Sequence, residues 1–257
     1  MAERIGFQAV YLSGAALSAS AALPDVGLLS LSEFVELART LTRATPLPVI
    51  SDADTGFGEA LNVERTIQLF EEARVAGIHL EDQVLPKRCG HLSGKALVEP
   101  QTMAAKIRAA AAARSDPGFV IIARTDARGV TGFEDAVNRA KRYLDAGADV
   151  IFPEALETEK EFADFARAVP APLLANMTEF GKSPLLDFAT LAGLGYCMVL
   201  YPVTAFRSAL RAAQETLAEL RHRGHQRDAI GGMLTRQELY DLQDYRGYEE
   251  RDRSFFQ

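Results

Sequence analysis

Glycines standing just ahead of short apolar runs constrain this chain more than any other feature. Arg74-Val75-Ala76-Gly77 leads into Ile78-His79-Leu80-Glu81-Asp82. Asp145-Ala146-Gly147 leads into Asp149-Val150-Ile151-Phe152-Pro153-Glu154, and Ala192-Gly193 precedes Tyr196-Cys197-Met198-Val199-Leu200-Tyr201-Pro202. Glycine suits the left-handed position past a helix end. A short, continuously apolar run suits a strand covered on both faces, as in a parallel sheet. The stretches between are helical in period: Phe133, Ala136, Val137, Ala140 and Leu144 share one face, as do Val63, Ile67 and Phe70. Helices alternating with buried strands predict a parallel βα architecture.

Strands are expected near residues 8–13, 48–53, 77–82, 119–125, 149–154, 172–177 and 196–201. A (β/α)8 TIM-type barrel of the α/β class needs one more. The opening Ala2-Glu3-Arg4-Ile5-Gly6 reads as a helix tail with its glycine cap, running into Phe7-Gln8-Ala9-Val10-Tyr11-Leu12. The expectation is therefore a barrel that lacks its first strand. No linker rich in Pro, Gly or Ser divides the chain, so residues 1–257 are expected to be one barrel domain with a helical tail from about 203 to 257.

The bulk numbers narrow the function. With 48% hydrophobic and 25% charged residues, the chain has the mix of a soluble globular domain. A net charge of −7 argues against a nucleic-acid backbone binder, though arginines in a cleft can still hold a small anion. Two distant cysteines, Cys89 and Cys197, fit a reduced, cytoplasmic compartment. No apolar run approaches the ~18 residues of a membrane span. The apolar start is too short and too interrupted, by Gln8 and Ser13, for a signal peptide.

Barrel chemistry collects at the carboxyl ends of strands. Ser13, Asp52, Asp54, Glu81, Asp82, Arg124, Asp126, Glu154, Asn176 and Thr178 stand there. Any one of them alone reads as a solvated strand end; the set converges on one mouth. Asp52-Ala53-Asp54 puts two carboxylates on one strand face. They read either as hard oxygen ligands for Mg2+ or Mn2+, or as turn aspartates ahead of Gly56 and Gly58. The sharpest local signal is Lys87-Arg88-Cys89-Gly90-His91. Flanking cations stabilise a thiolate, and Gly90 and Gly94 suit a lid; the plainer reading is a basic surface loop with an incidental thiol. One Cys beside one His is too little for zinc. Cys197 and His79, each within an apolar run, read as core. His222 and His225, in a charged helix, read as surface.

With these residues in view, the chain resembles the 2-methylisocitrate lyases of the isocitrate lyase/phosphoenolpyruvate mutase superfamily. The matching segments are Tyr11-Leu12-Ser13-Gly14, Leu23-Pro24-Asp25, Asp52 through Gly58, His79-Leu80-Glu81-Asp82-Gln83, Lys87 through His91, Ala123-Arg124-Thr125-Asp126, Phe152-Pro153-Glu154-Ala155, Asn176 through Gly181, Leu200-Tyr201-Pro202 and Thr235 through Tyr240. They cover essentially the whole chain. The cysteine-bearing loop marks the lyase branch, and the insertion of the longer isocitrate lyases is missing. The departure lies at the start, where the family carries a leading helix and the first barrel strand.

The resemblance implies cleavage of 2-methylisocitrate to pyruvate and succinate, a retro-Claisen step of the methylcitrate cycle of propionate catabolism. It implies Mg2+ on Asp52 and Asp54, with Asp25 and Glu81 reached through water, and Cys89 as the acid that protonates carbon. It assigns His91 to stabilising the developing charge and Tyr11 as the candidate base. Ser13, Gly14, Gly90, Arg124, Glu154, Asn176, Thr178, Arg207 and Arg236 are implied to hold the tricarboxylate. The family's assembly implies a homotetramer that exchanges its last helices. Two alternatives stand beside this reading: a lyase acting on a substituted malate such as 2,3-dimethylmalate, and a chain whose missing strand leaves it little activity.

Overall fold

The computed structural model describes residues 1–256. The chain falls into two compact units, Gly6–Thr204 and Met1–Ile5 with Ala205–Gln257. In the first, strands β1 (Val10–Leu12), β2 (Val49–Asp52), β3 (Gly77–Glu81), β4 (Val120–Thr125) and β5 (Val150–Pro153) pair in sequence order, all parallel. Strands β6 (Leu174–Asn176) and β7 (Met198–Leu200) form a second parallel pair, joined to β5 by a bridge between Ile151 and Leu173. These seven strands fall within the seven expected segments, each shorter by one to three residues. Among the described residues, β1 and β7 are the edges of this TIM-type barrel sheet.

Helices alternate with the strands. The second unit opens with α1 (Ala2–Ile5); the barrel unit then adds α2 (Gly14–Ser20), α3 (Leu31–Ala44), α4 (Ala60–Glu72), α5 (Pro100–Ala113), α6 (Phe133–Asp145), α7 (Glu159–Ala168) and α8 (Phe188–Gly193). Local chemistry sets their starts. Ser30 and Glu33 cap α3 reciprocally, Thr158 caps α7, and Pro100 stands in the first turn of α5. The apolar stripe of α4 buries Val63, Ile67 and Phe70 completely, each side chain contributing about 1.5–3 kcal/mol of transfer free energy.

The strands divide their side chains between two cores. Leu12, Val49, Ile78, Leu80, Ile121, Ala123, Ile151 and Ala175 pack outward with the helices. The alternate residues Ile122, Val150, Phe152, Leu174 and Leu200, with Tyr11, Ile50, Val120 and Met198 against them, form a separate inner cluster. Period two makes this division unavoidable.

The second unit contains α9 (Thr204–Arg223) beyond its first residue, α10 (Arg236–Gln243) and α11 (Tyr245–Ser254). Thr235 and Glu238 form a reciprocal cap on α10, and Tyr240 stacks on Tyr245 at 4.5 Å. This unit takes in the segment expected as a helical tail, together with α1. No helix among the described residues is long and apolar enough to cross a membrane.

Candidate active site

Continuing the inner set of each strand by two residues toward its carboxyl end turns it from apolar to polar. Tyr11 gives way to Ser13, Ile50 to Asp52, Ile122 to Arg124, Phe152 to Glu154 and Leu174 to Asn176. On β3 the inner residues are His79 and Glu81, both fully buried. Phe152 marks the boundary: the His79 ring meets it edge-on at 5.4 Å, and the Arg124 guanidinium lies over it at 5.2 Å.

One side of the mouth is acidic. Gly14 donates its amide to Asp52 Oδ2 at 3.2 Å, and a Cβ on that glycine would come within 2.6 Å of the same oxygen, so α2 can approach the aspartate only because residue 14 has no side chain. The Asp54 amide donates to Asp52 Oδ1 at 2.9 Å, and Asp54 itself adopts a left-handed backbone, φ 44°, a conformation that carries strain and gathers at functional sites. Lys87 Nζ bridges Asp25 at 2.5 Å and Asp54 at 2.9 Å. Burial and the charge of Asp52 push the Asp54 carboxyl up to about 6, against the pull of Lys87. Burial acts on Asp52 as well, but His79, Lys87 and Arg124 outweigh it and hold that carboxyl below its ordinary value. Burial lifts Glu81 far above the carboxylate range despite Arg124 and Lys87.

Divalent-cation ligation can be tested on these atoms. Asp54 Oδ1 and both Glu81 carboxylate oxygens are buried without a well-directed hydrogen bond. The Lys87 ammonium bridges Asp25 and Asp54, and these two with Asp52 and Glu81 raise its affinity for its proton against burial. No group of three His, Cys, Asp or Glu side chains encloses a metal position among the described residues. A small hard cation that keeps most of its water and takes one or two carboxylates fits this donor set; an ion needing a full protein cage does not.

Tyr11 and His79 stand beside the acids. The Tyr11 hydroxyl is 2.7 Å from His79 Nε2, which lies 3.6 Å from Asp52 Oδ1. Burial and Asp52 keep Tyr11 a phenol well above its ordinary range, and burial holds His79 neutral. His79 is buried as expected, but inside the mouth and bonded to Tyr11, not in the packing core.

The other side gathers around Arg124. Its guanidinium meets Asp126 (Nε to Oδ2, 2.9 Å), Glu81 (3.2 Å) and Glu154 (3.4 Å). Burial would raise the Glu154 carboxyl, but Arg124 and His91 hold it well below the usual range. Asn176 Nδ2 lies 3.3 Å from both Glu154 oxygens, and its own Oδ1 is buried and unbonded. Thr178 is buried on the next loop, and Ser13 caps α2 through the Ala16 amide.

The loop after β3 covers this cluster. A Cβ on Gly90 would stand 2.3 Å from Glu154 Cγ and 2.5 Å from Arg124 Nη2, so the main chain there lies directly against the pair. His91 Nε2 is 2.8 Å from Glu154 Oε1, while its Nδ1 accepts the Lys182 amide at 2.9 Å. That amide leaves the ring proton on Nε2, facing Glu154. Cys89, immediately before Gly90, is exposed. Of the groups expected around its thiol, Lys87 is engaged by Asp25 and Asp54 and His91 by Glu154, while Arg88 beside the cysteine is exposed, its guanidinium donating to Ser93 O at 3.5 Å.

The barrel unit thus brings together Tyr11, Gly14, Asp25, Asp52, Asp54, Glu81, Gly90, His91, Arg124, Glu154 and Asn176 in neighbouring contacts at one mouth, with Ser13 and Thr178 buried just past the ends of β1 and β6. Arg207 and Arg236 belong to the other unit, on α9 and at the first residue of α10. Cys197 corrects its expectation: it precedes β7, donates to Leu173 O at 3.3 Å and is exposed, because the strand begins only at Met198. Sequence reasoning missed Lys87 as the bridge between aspartates, although its cation beside the cysteine was visible. It missed Lys106 as well, a buried lysine on α5 that donates to Thr55 O at 3.0 Å and steadies the Asp54 loop.

The chain is similar to known proteins over nearly its whole length. The family model of phosphoenolpyruvate phosphomutase matches residues 1–221. The 2-methylisocitrate lyase of Aeropyrum pernix is 55% identical over 98% of this chain and 81% of its own length. A crystal structure of 2,3-dimethylmalate lyase superposes with a TM-score of 0.92 at 35% identity, covering 98% of this chain and 85% of the other. A phosphonopyruvate hydrolase solved with oxalate and Mg2+ superposes at 0.86, also at 35% identity, covering 98% and 87%.

Proposed function

From the premise that the chain belongs to the phosphoenolpyruvate phosphomutase family, we propose that it is a Mg2+-dependent carbon–carbon lyase cleaving 2-methylisocitrate to pyruvate and succinate. The observation that carries this reading is the seating of the Cys89 loop. The residues after the thiol, Gly90 and His91, lie against Arg124 and Glu154, with the paired aspartates on the adjoining strands. This seating supports reading Cys89 as a proton donor that acts on a substrate held at the Arg124 cluster and the paired aspartates.

Asp52 and Asp54 would hold the cation, with Asp25 and Glu81 acting through water. The cation supplies polarisation of the substrate hydroxyl and its neighbouring carboxylate. Tyr11 relays the hydroxyl proton: as its oxygen accepts the substrate's proton, the phenol passes its own proton to His79 Nε2, 2.7 Å away. As the carbon–carbon bond breaks, the hydroxyl carbon becomes the keto carbon of pyruvate and the electron pair passes to the succinyl fragment as an aci-carboxylate. Arg124, Asn176, Thr178, Ser13 and the amides of Gly14 and Gly90 orient the carboxylates. The Nε2 proton of His91 answers the charge on the fragment, and Cys89 delivers its proton to carbon. A homotetramer with exchanged C-terminal helices and a place in propionate breakdown belong to the same proposal.

A substrate panel tests it. Purified protein with Mg2+ should give pyruvate and succinate from 2-methylisocitrate with a higher kcat/KM than from isocitrate or 2,3-dimethylmalate. Chelator should abolish turnover, and Mg2+ or Mn2+ should restore it. Preference for 2,3-dimethylmalate would replace the substrate, and full turnover in chelator would remove the metal. Light scattering on the same sample reads the tetramer.

A further inference from the structure

The loop carrying Cys89 is held at the main-chain groups on both sides of that residue, and neither hold comes from a residue assigned above. Before the cysteine, the Gln83 carboxamide grips Arg88 from two directions: Gln83 Nε2 donates to Arg88 O at 2.8 Å, and the Arg88 amide donates to Gln83 Oε1 at 2.9 Å. After it, Lys95 Nζ donates to Gly90 O and, at 2.8 Å, to Asp126 Oδ1. Asp126 is the carboxylate that Arg124 also binds, and its own amide is fixed by Asp82 Oδ1 at 2.9 Å. Gln83 is 2% exposed and Lys95 9%.

Apolar burial does not do this job. Val84, Leu85 and Leu92 of the same loop are 42%, 51% and 58% exposed, so hydrophobic contact leaves the loop's position loosely defined. A buried lysine is a poor way to gain stability, since an apolar side chain of similar volume generally does as well or better. Its merit here is geometric: one ammonium joins the Gly90 carbonyl to the acid that orients Arg124.

We infer that Gln83 and Lys95 are positioning residues, a two-point clamp that fixes the backbone of Cys89 and ties it through Asp126 to Arg124. The inference rests on the lyase reading for its catalytic consequence, though the clamp itself can be tested without turnover. Lys95→Met, Lys95→Arg and Gln83→Met are compared with the unaltered chain by kinetics, by tryptic cleavage after Arg88 and by hydrogen exchange of residues 84–96. Both methionine variants should lose kcat by roughly ten- to a hundredfold, the range for a misplaced reacting group, with KM changed much less. Cleavage and exchange should both quicken, and Lys95→Arg should recover most of the rate. Should Lys95→Met fail to fold, Gln83→Met carries the test. Unchanged exchange and cleavage in folded methionine variants overturns the clamp, as does a loosened loop with kcat intact. If the unaltered chain cleaves no 2-methylisocitrate, the lyase reading fails by itself, and exchange and cleavage alone decide the clamp.

Discussion

The strand ends of β3 to β5 and the loop that follows β3 carry the same kinds of side chain, yet they are held in different ways. At the strand ends, Glu81, Asp126 and Glu154 surround one guanidinium, and all are buried. In the loop, Cys89 is exposed, and a few polar contacts set its position. A network closed on all sides transmits damage into stability, because a lost partner leaves a buried charge behind. A tethered loop transmits damage into rate, because its folded contacts are few. Substitutions in the two regions should therefore separate melting temperature from turnover, and each measurement below asks whether they do.

The largest effect belongs to the loop. Cys89→Ser should lower turnover by about 10²–10⁴, the range for a positioned acid, while stability stays within about 0.5 kcal/mol, as for other exposed sites. Near-normal turnover would remove Cys89 as the acid, and a large fall in melting temperature would break the comparison itself.

Arg124→Ala should show the opposite pattern most clearly. It leaves Glu81, Asp126 and Glu154 buried with one cation fewer, at a cost of about 3–5 kcal/mol. The sign with pH follows from Glu154. Arg124 depresses that carboxyl's folded pKa, so its contribution is present above the unfolded value and fades as pH falls. The loss on mutation should be larger at neutral pH than at pH 4, read by denaturant titration at both. A cost independent of pH would mean that the guanidinium serves mainly by packing on Phe152.

Gly90→Ala lies where the two regions touch. Its Cβ would enter the space of Glu154 Cγ and Arg124 Nη2, and overpacking of this kind costs about 1–3 kcal/mol. Because the loop can give way more easily than the network, the variant should lose turnover with a smaller change in melting temperature than Arg124→Ala. Equal losses of stability in the two variants would place the loop within the network.

The same division decides what could be read before the structure. The strands, their order of burial and the polar ends were legible because the glycine-to-strand unit and the apolar runs are local signals. Strand parity would have carried the reading further: His79 stands two residues before Glu81, so it had to face the same interior, and only its apolar neighbours suggested ordinary packing. Cys197 misled for a related reason, since an apolar run does not say where its strand begins. The partners of Lys87, Lys95 and Gln83 were out of reach. Lys87 meets Asp25 across 62 residues of chain and Lys95 meets Asp126 across 31, and no periodicity reports which acid a lysine will find.

The smallest effect concerns the acidic side, and it follows from Asp54. Burial and Asp52 raise its carboxyl to about 6, above the roughly 4 of an unfolded aspartate. A folded-state pKa above the unfolded one adds stability that is fully present below the unfolded value and is lost as pH rises through the folded value. Without a cation, this group therefore favours the folded protein least above about pH 6, where two neighbouring carboxylates both carry charge. A divalent cation has to displace the Asp54 proton below that pH and finds the site already ionised above it. Mg2+ or Mn2+ affinity should thus climb by up to about tenfold per pH unit toward 6 and then level off. Melting curves with and without Mg2+ read this without any turnover: the gain at pH 7.5 should exceed the gain at pH 5, and Asp54→Asn should abolish most of it. Equal gains at both pH values would show that the cation binds away from Asp54, and the acidic side would then be a charge cluster held by Lys87 alone.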